Sequence, residues 1–589
     1  MKITPAVKHM MTVLSVSLKR FPLTILFSTA VAIMLIMITE LRPLTDTNLT
    51  ETLYRITMIL ALGIPLSLCL KLFWERKGNG KPSALIGLYS AGFVMLLLYY
   101  FFLLNTLDMV SITRYIGVSL ALYLAFLFIP YLPRREQFEM YVIRLGTGFC
   151  ITVIYAAVLY LGLAAILFTI DQLLGIQIAG KAYFYVWLFV ACLFAPAYFL
   201  ADIPLQDEQL EQKNYLKLLR VLLLYIVMPL LTAYTAILYI YFVKIIVVSE
   251  WPVGLVSHLV LWYGVIVTIV LFLISPIKDE SKWANGFLVW MPRVILPILV
   301  MMFISMGIRI NAYGVTENRY YVIILGLWVF GIMLYYILTK KRNNIIIPVT
   351  LAVIALIAVF GPLSSYSIST LSQNNRLEAT LLRNDMLQEG KIQAAAGDIP
   401  EKDKTEISRI LDYFNDNHNL ADVKYFPDNF GIDDIDKVFG FSYVPYTHPA
   451  EHSAERFYYF TTEEPERAID IQGYDYMFGS MFLYAENSTD STGDTIAVDY
   501  DDQSSIVKVY GQGILLYEKA LNSFVGELFD KHQPSTEGES IPAEEMTLIE
   551  ENEQVKVKFI FMHIMGNEDV TTGDLKLERA EFYLLVKIK

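Results

Sequence analysis

Residues 309–321 are the stretch of this sequence richest in groups that bind. Arg309, Asn311, Tyr313, Gly314, Thr316, Glu317 and Arg319 follow one another there between two apolar runs, and they form the candidate interaction site. A guanidinium makes forked hydrogen bonds to a carboxylate or a phosphate, and Gly314 permits a tight turn. Two readings stay open: a helical hairpin closed by Glu317 and an arginine, or a docking site for an anionic group, including the acidic C-terminal part of the same chain. Other candidates carry less. His448 and His452 are four apart, but Pro449 lies between them and no third ligand accompanies them, so no metal site is expected. The acidic stretches 428–436 and 499–503 lack the spacing of a calcium loop. No phosphate loop, nucleophile elbow or HExxH motif occurs. No catalytic residue and no cofactor are expected, and an enzyme is the least favoured class.

The elements that position these residues follow from hydropathy. Of 589 residues 55% are hydrophobic, and the mean hydropathy is +0.48, too high for a soluble chain. The apolar residues cluster in runs of about twenty, enough for a helix to cross a hydrocarbon core of roughly 30 Å. Eleven spans are predicted at 21–39, 53–73, 84–104, 113–132, 145–169, 182–203, 218–243, 254–275, 289–308, 320–338 and 345–363. The first is too long for a signal-peptide core and meets Glu40 rather than a small-residue cleavage pattern, so it reads as retained. Pro292 and Pro297 are expected to kink the ninth.

Loop charge sets the orientation. With residues 1–20 as an amphipathic cytoplasmic segment, the inner segments carry twenty Lys and Arg and the outer ones seven, as the positive-inside rule requires. Tyrosines and tryptophans at span ends, such as Trp74, Tyr99, Tyr100, Tyr320 and Tyr321, suit headgroup level. An odd count puts everything after about residue 364 on the far side. Residues 1–364 hold 27 Lys and Arg against 16 Asp and Glu, and residues 365–589 hold 19 against 42. That acidity argues against nucleic acid as a partner. Cys69, Cys150 and Cys192 lie in apolar runs, which excludes a disulfide framework outside them.

Four domains are expected: the segment 1–20, a transmembrane helical domain 21–363, a helical linker 364–400 and an extracytoplasmic α+β domain 401–589. In the last part, helices are predicted at 376–387, 402–415 and 433–439, and strands at 457–461, 468–472, 505–510, 555–563 and 581–587. Residues 513–529 read as a strand running into a helix, and 486–495 and 533–545 as loops. The fold class is a polytopic α-helical membrane bundle with a C-terminal soluble α+β domain.

The order Arg309, Tyr313-Gly314-x-Thr316, Arg319 after an apolar span, with the segment 275–287 in support, resembles a family of bacterial polytopic membrane proteins, domain of unknown function 4153. The resemblance covers roughly residues 20–360. It implies a bacterial inner-membrane protein and lends no activity or catalytic residue.

Charges in the spans are few and shallow: Asp171, Lys244 and His258 lie near span ends, and the midplanes carry no carboxylate of the kind an ion-coupled carrier uses. Thr147, Thr152 and Tyr155 in span five, and Thr232, Tyr234, Thr235, Tyr239 and Tyr241 in span seven, would line a polar path or join helices. Two functions follow: a permease or lipid-handling protein with an extracytoplasmic accessory domain, or a non-transporting envelope sensor or assembly scaffold that binds a partner through that domain. The partners expected are the bilayer and an envelope protein or lipid; the oligomeric state has no signature in the sequence. A reporter enzyme that works only when exported, fused after Lys589, is expected to be active, and activity of a cytosol-only reporter at that position would reverse the orientation.

Overall fold

In the computed structural model the apolar runs are helices, because only an internally bonded backbone satisfies its own polar groups in hydrocarbon. The structure describes residues 15–41, 47–76, 81–132, 137–174, 176, 178–205, 215–248, 255–395, 397, 399–426, 430–431, 434–441, 455–463, 468–480, 496–501, 504–532, 539–569 and 575–589. Ten helices among them are long and apolar enough to cross a membrane. They are α1 (Pro22–Leu41), α2 (Thr47–Arg76), α3 (Pro82–Phe102), α4 (Met109–Phe128), α5 (Phe138–Leu174), α6 (Gly180–Ala201), α7 (Lys217–Val248), α8 (Leu255–Ile274), α9 (Lys282–Tyr313) and α10 (Glu317–Leu338). The chain is a multi-pass membrane protein whose helical bundle is followed by a C-terminal α+β region. It divides into two compact units, residues 1–399 with 410–441, and residues 400–409 with 442–589.

In the first unit, polar contacts sort the helix ends into two layers. In one, Arg20 binds Glu75 at 3.0 Å and donates to the Ile203 carbonyl at 2.6 Å, joining the start of α1, the end of α2 and the chain after α6. Arg144 meets Asp202 at 2.7 Å and Arg220 meets Glu280 at 2.6 Å. Asn344 donates to Glu139 at 2.6 Å and accepts from the Tyr336 hydroxyl at 2.7 Å. In the other layer Lys181 meets Glu40 at 2.7 Å, and Arg55 Nε donates to the Leu104 carbonyl at 2.6 Å. The Tyr320 hydroxyl donates to the Leu363 carbonyl there, and the Tyr321 and Ser365 hydroxyls bond at 2.9 Å. We call these the Glu75 and Glu317 layers.

The predicted eleventh span differs in form. Its helix, α11 (Ile346–Ile357), has 12 residues, about 18 Å, short of a crossing by itself. Turns at 358–363 complete the path. The chain thus starts beside Tyr336 in the Glu75 layer and finishes beside Tyr320 in the Glu317 layer. Among the described residues this passage follows ten long helices and is made by helix plus turns.

Two helices widen before a proline. α6 has a π-helical turn at Val190–Phe194 ahead of Pro196, and α7 has one at Leu222–Val227 ahead of Pro229. Proline brings no N–H and crowds the preceding turn, and a π-turn relieves that crowding. The carbonyls left over find donors on other helices. Pro196 cannot serve the Cys192 carbonyl four residues back, and Ser28 Oγ of α1 donates to it at 2.5 Å. In α7 the bonds reach five residues back, Met228 N–H to the Leu223 carbonyl. Pro229 cannot continue that pattern to Leu224, whose carbonyl accepts from the Trp283 indole of α9 at 3.2 Å. α9 itself runs unbroken through Pro292 and Pro297 over 32 residues.

After the bundle comes α12 (Ser365–Arg383), where the sequence predicts a polar segment to 373 and a helix only from 376. Ser364 caps it, accepting from Ser367 N–H. α13 (Glu401–Asn417) and α14 (Ile435–Phe439) match the predicted helices within two residues.

The second unit has two sheets. Their strands are β1 (Glu455–Thr462), β2 (Tyr476–Gly479), β3 (Ile496–Asp501), β4 (Ile506–Gly511), β5 (Ile514–Ala520), β6 (Glu539–Ile541), β7 (Thr547–Glu551), β8 (Val555–Asp569) and β9 (Leu575–Ile588), with α15 (Asn522–His532) after β5. The larger runs β2-β9-β8-β1-β6, and β7 pairs the first half of β8. The smaller is the meander β3-β4-β5. Alternate residues Val557, Phe559 and Phe561 of β8 and Phe582, Leu584 and Val586 of β9 enter one core with Val507 and Val509 of β4 and Val525 of α15. The strand predicted at 468–472 is absent: a turn at Gly473 (φ +83°) intervenes, and pairing begins at Asp475, whose N–H meets the Val586 carbonyl. The stretch 533–545, predicted as a loop, holds β6, which pairs in parallel with the end of β1 at Phe460–Thr462, because these residues find a free strand edge there. The 486–495 loop and residues 1–14 lie outside the described residues.

Trp283→Phe keeps the ring and removes the donor to Leu224. It is expected to destabilise the bundle by about 0.6–1.7 kcal/mol, the range for interhelical hydrogen bonds in membranes. Thermal unfolding in detergent measures this, and an unchanged midpoint would deny the carbonyl-serving role.

Candidate functional site

The site starts at the end of α9. Gly314 ends that helix at φ +71°, and a Cβ there would lie 2.6 Å from Arg376 Cδ and 3.0 Å from Gln373 Nε2. Only glycine fits both the left-handed backbone and the close neighbour. Helix ends leave carbonyls without intrahelical donors, and α12 supplies them. Arg376 donates to the Ala312 carbonyl at 3.0 Å, and Gln373 Nε2 to those of Tyr313 and Val315 at 3.3 and 3.0 Å. Ser372 Oγ accepts from Val315 N–H at 2.9 Å. From within the loop, Arg319 donates to the Tyr313 and Gly314 carbonyls at 3.1 and 2.7 Å.

Glu317, the first residue of α10, is the charged centre. Its Oε1 accepts from Ser369 Oγ of α12, from the Tyr413 hydroxyl at 2.6 Å and from His418 Nε2 at 2.8 Å. The His418 side chain is 4% exposed and that of Glu317 19%. Tyr413 also lies 2.9 Å from His418 Nε2. Burial, and then the Glu317 charge beside it, push the Tyr413 phenol well above its ordinary range, so it stays a donor. Nearby, Asn374 binds the Asp422 carbonyl and accepts from Lys424 N–H, at 3.0 and 2.8 Å. The loop is thus clasped by the chain that follows the bundle.

Of the predicted site residues, Gly314 makes the turn, Tyr313 lends its carbonyl, Asn311 lends its carbonyl to Arg376 at 3.5 Å, and Thr316 precedes α10 as N-cap without a side-chain cap bond. Arg319 turns to carbonyls, with its guanidinium over the Tyr313 ring at 5.6 Å. Glu317 takes Ser369, Tyr413 and His418 rather than an arginine. Sequence reasoning missed those three and Gln373. The signal was there: Ser365, Ser369, Ser372, Gln373 and Arg376 recur at helical spacing, a polar stripe on one face of α12. His448 and His452 lie outside the described residues.

The threonines of spans five and seven, and Tyr239, are engaged locally. Thr147 and Thr152 bond the carbonyls of Ile143 and Gly148, and Thr232 bonds that of Met228. Thr235 bonds the Leu231 carbonyl and the Tyr263 hydroxyl, and Tyr239 the Val294 carbonyl.

A family model described as Domain of unknown function (DUF4153) matches residues 24–396. The chain belongs to that family. The DUF4153 match runs from α1 past α12, so it takes in Glu317 and Ser369 and stops before Tyr413 and His418. A Pasteurella multocida protein described as uncharacterized is 22% identical over 377 residues, 61% of this chain and 64% of its own length. The match thus spans less than two thirds of that relative. No solved structure matches.

The Glu317–His418 contact is testable by a double-mutant cycle of Glu317→Gln and His418→Ala. A coupling of about 1–2 kcal/mol in thermal unfolding is expected for a hydrogen bond to a charged group. Additive effects would dissolve the clasp as an energetic unit.

Proposed function

We propose that this chain is a non-transporting sensor or assembly scaffold of the bacterial cytoplasmic membrane, with its N-terminus cytoplasmic and residues 442–589 presented outside to an envelope partner. The observation that carries this reading is the use of the span hydroxyls. A polar path between spans five and seven would need free hydroxyls facing each other. The α5 threonines instead bond their own helix, and those of α7 bond α7, α8 or α9. A permease would have to route a solute past threonines already satisfied.

The orientation rests on charge. The Glu75 layer holds Arg20, Lys71, Arg76, Arg144 and Arg220 at helix ends, and basic residues favour the cytoplasmic side. The scaffold reading also draws on the clasp. Glu317 and α12 fix where the chain leaves the bundle, and a displayed binding unit gains from a fixed root because less freedom is lost when its partner binds.

The test is extraction in native nanodiscs followed by mass spectrometry, comparing the full chain with one ending at residue 441. The expected result is an envelope protein at near-stoichiometric amount, lost on truncation and retained in a Thr235→Val, Tyr239→Phe variant. Recovery of no protein, with a solute or lipid enriched and released by that double variant, would return the permease reading.

A further inference from the structure

Away from the clasp, the Glu317 layer holds two polar groups that their surroundings leave unanswered. Tyr99 ends α3 with its side chain inward; the residue is 7% exposed and its hydroxyl has no hydrogen-bond partner among the described residues. Arg114, in the second turn of α4, has a buried Nε likewise without a partner. No hydrogen bond or ion pair is made by that guanidinium among the described residues, and Tyr115, the next residue of α4, packs in one apolar cluster with Tyr99. A guanidinium offers five donors and no acceptor. A buried donor left unmade costs about 1–3 kcal/mol. A single multivalent acceptor carrying negative charge would answer both groups.

We propose that Arg114 and the Tyr99 hydroxyl bind a phosphate oxyanion at the level where α12 joins the bundle. The surroundings fix the guanidinium for such a task. The Tyr366 ring of α12 lies 5.6 Å from Arg114 Cζ, a stacking contact that holds the planar fork. Arg55 stands on the same α3 end, with its guanidinium 4.8 Å from the Tyr100 ring and its Nε on the Leu104 carbonyl; it adds positive charge and fixes the turn. The carboxylates of the neighbourhood are otherwise engaged. Asp108 is close enough for Arg114 to act on it, yet its Oδ1 accepts from Ser111 N–H at 2.6 Å and its Oδ2 from Thr106 Oγ at 2.9 Å, capping α4. Glu51 Oε1 accepts from Leu107 N–H at 3.2 Å. Among the described residues neither forms an ion pair with Arg114.

The ligand chemistry fits the depth. Arg114 lies five residues inside α4 and Tyr99 three residues from the end of α3, less than about 10 Å from the helix ends at 1.5 Å per residue. Lipid phosphodiesters sit at that level, where aromatic belts mark the interface. A free phosphate presents the same oxygens.

The experiment uses the full chain purified in a maltoside detergent. One arm adds phosphatidylglycerol and counts retained lipid by native mass spectrometry; the other titrates inorganic phosphate and follows 31P line broadening. Saturable binding in either arm is expected, and the arm that responds names the source. Arg114→Gln should weaken it by about tenfold or more, and Tyr99→Phe by about threefold to tenfold, as the loss of hydrogen bonds to a charged group implies. Arg114→Lys keeps the charge and should retain part of it. Tyr99→Phe preserves the buried ring, so it reads binding even where Arg114→Gln fails to fold. Absence of saturable binding in both arms, or affinity unchanged in Tyr99→Phe and Arg114→Gln, would overturn the site and leave these groups to water.

Discussion

A backbone carbonyl without a donor is the costliest small fault a chain can carry into hydrocarbon, several kcal/mol for each. Much of this structure is an answer to that constraint. Uninterrupted helices answer it within one segment. Where proline removes a donor, another helix supplies one, as Ser28 does for Cys192 and Trp283 for Leu224. Where α9 ends, α12 supplies them from Gln373 and Arg376. These side chains are therefore not incidental contacts between finished elements. They decide which helices lie together, because only a neighbour with a donor at the right height can cover the fault.

The same constraint explains what the sequence reveals. Ten of the eleven predicted spans were legible as long helices, since apolar runs respond directly to the solvent around them. Ten long helices stand where apolar runs stand. The eleventh passage was legible as a passage and not as a form: α11 stops at Ile357 and turns finish the path, a shape that average hydropathy cannot distinguish from helix. α12 was partly missed because its serines read as linker composition, although their spacing at Ser365, Ser369 and Ser372 was helical. In the second unit, alternation in β8 and β9 identified both strands, while 468–472 misled because a turn at Gly473 delays pairing to Asp475. Local pattern names an element; only the partner decides where it begins.

The candidate loop shows the limit more sharply. Arg309, Glu317 and Arg319 suggest ion pairing by residue type alone. In the fold, Glu317 faces two hydroxyls and an imidazole, and Arg319 faces carbonyls. Tyr413 and His418 lie about a hundred residues further along, and no spacing rule reaches that far. Three donors on one carboxylate fix its direction, whichever charge the imidazole carries. The arrangement is less screened by salt than an exposed ion pair.

That difference bears on the charge split of the whole chain. The excess of acid after residue 365 invites an account in which opposite charges pull the later chain onto the bundle. The contacts at the root do not use that excess. Ser369, Gln373 and Asn374 are neutral, and Arg376 donates to the carbonyls that end α9. These contacts lie within the first unit, so the acidity of residues 442–589 plays no part in them. The clasp is set by the geometry of donors and carbonyls rather than by net charge.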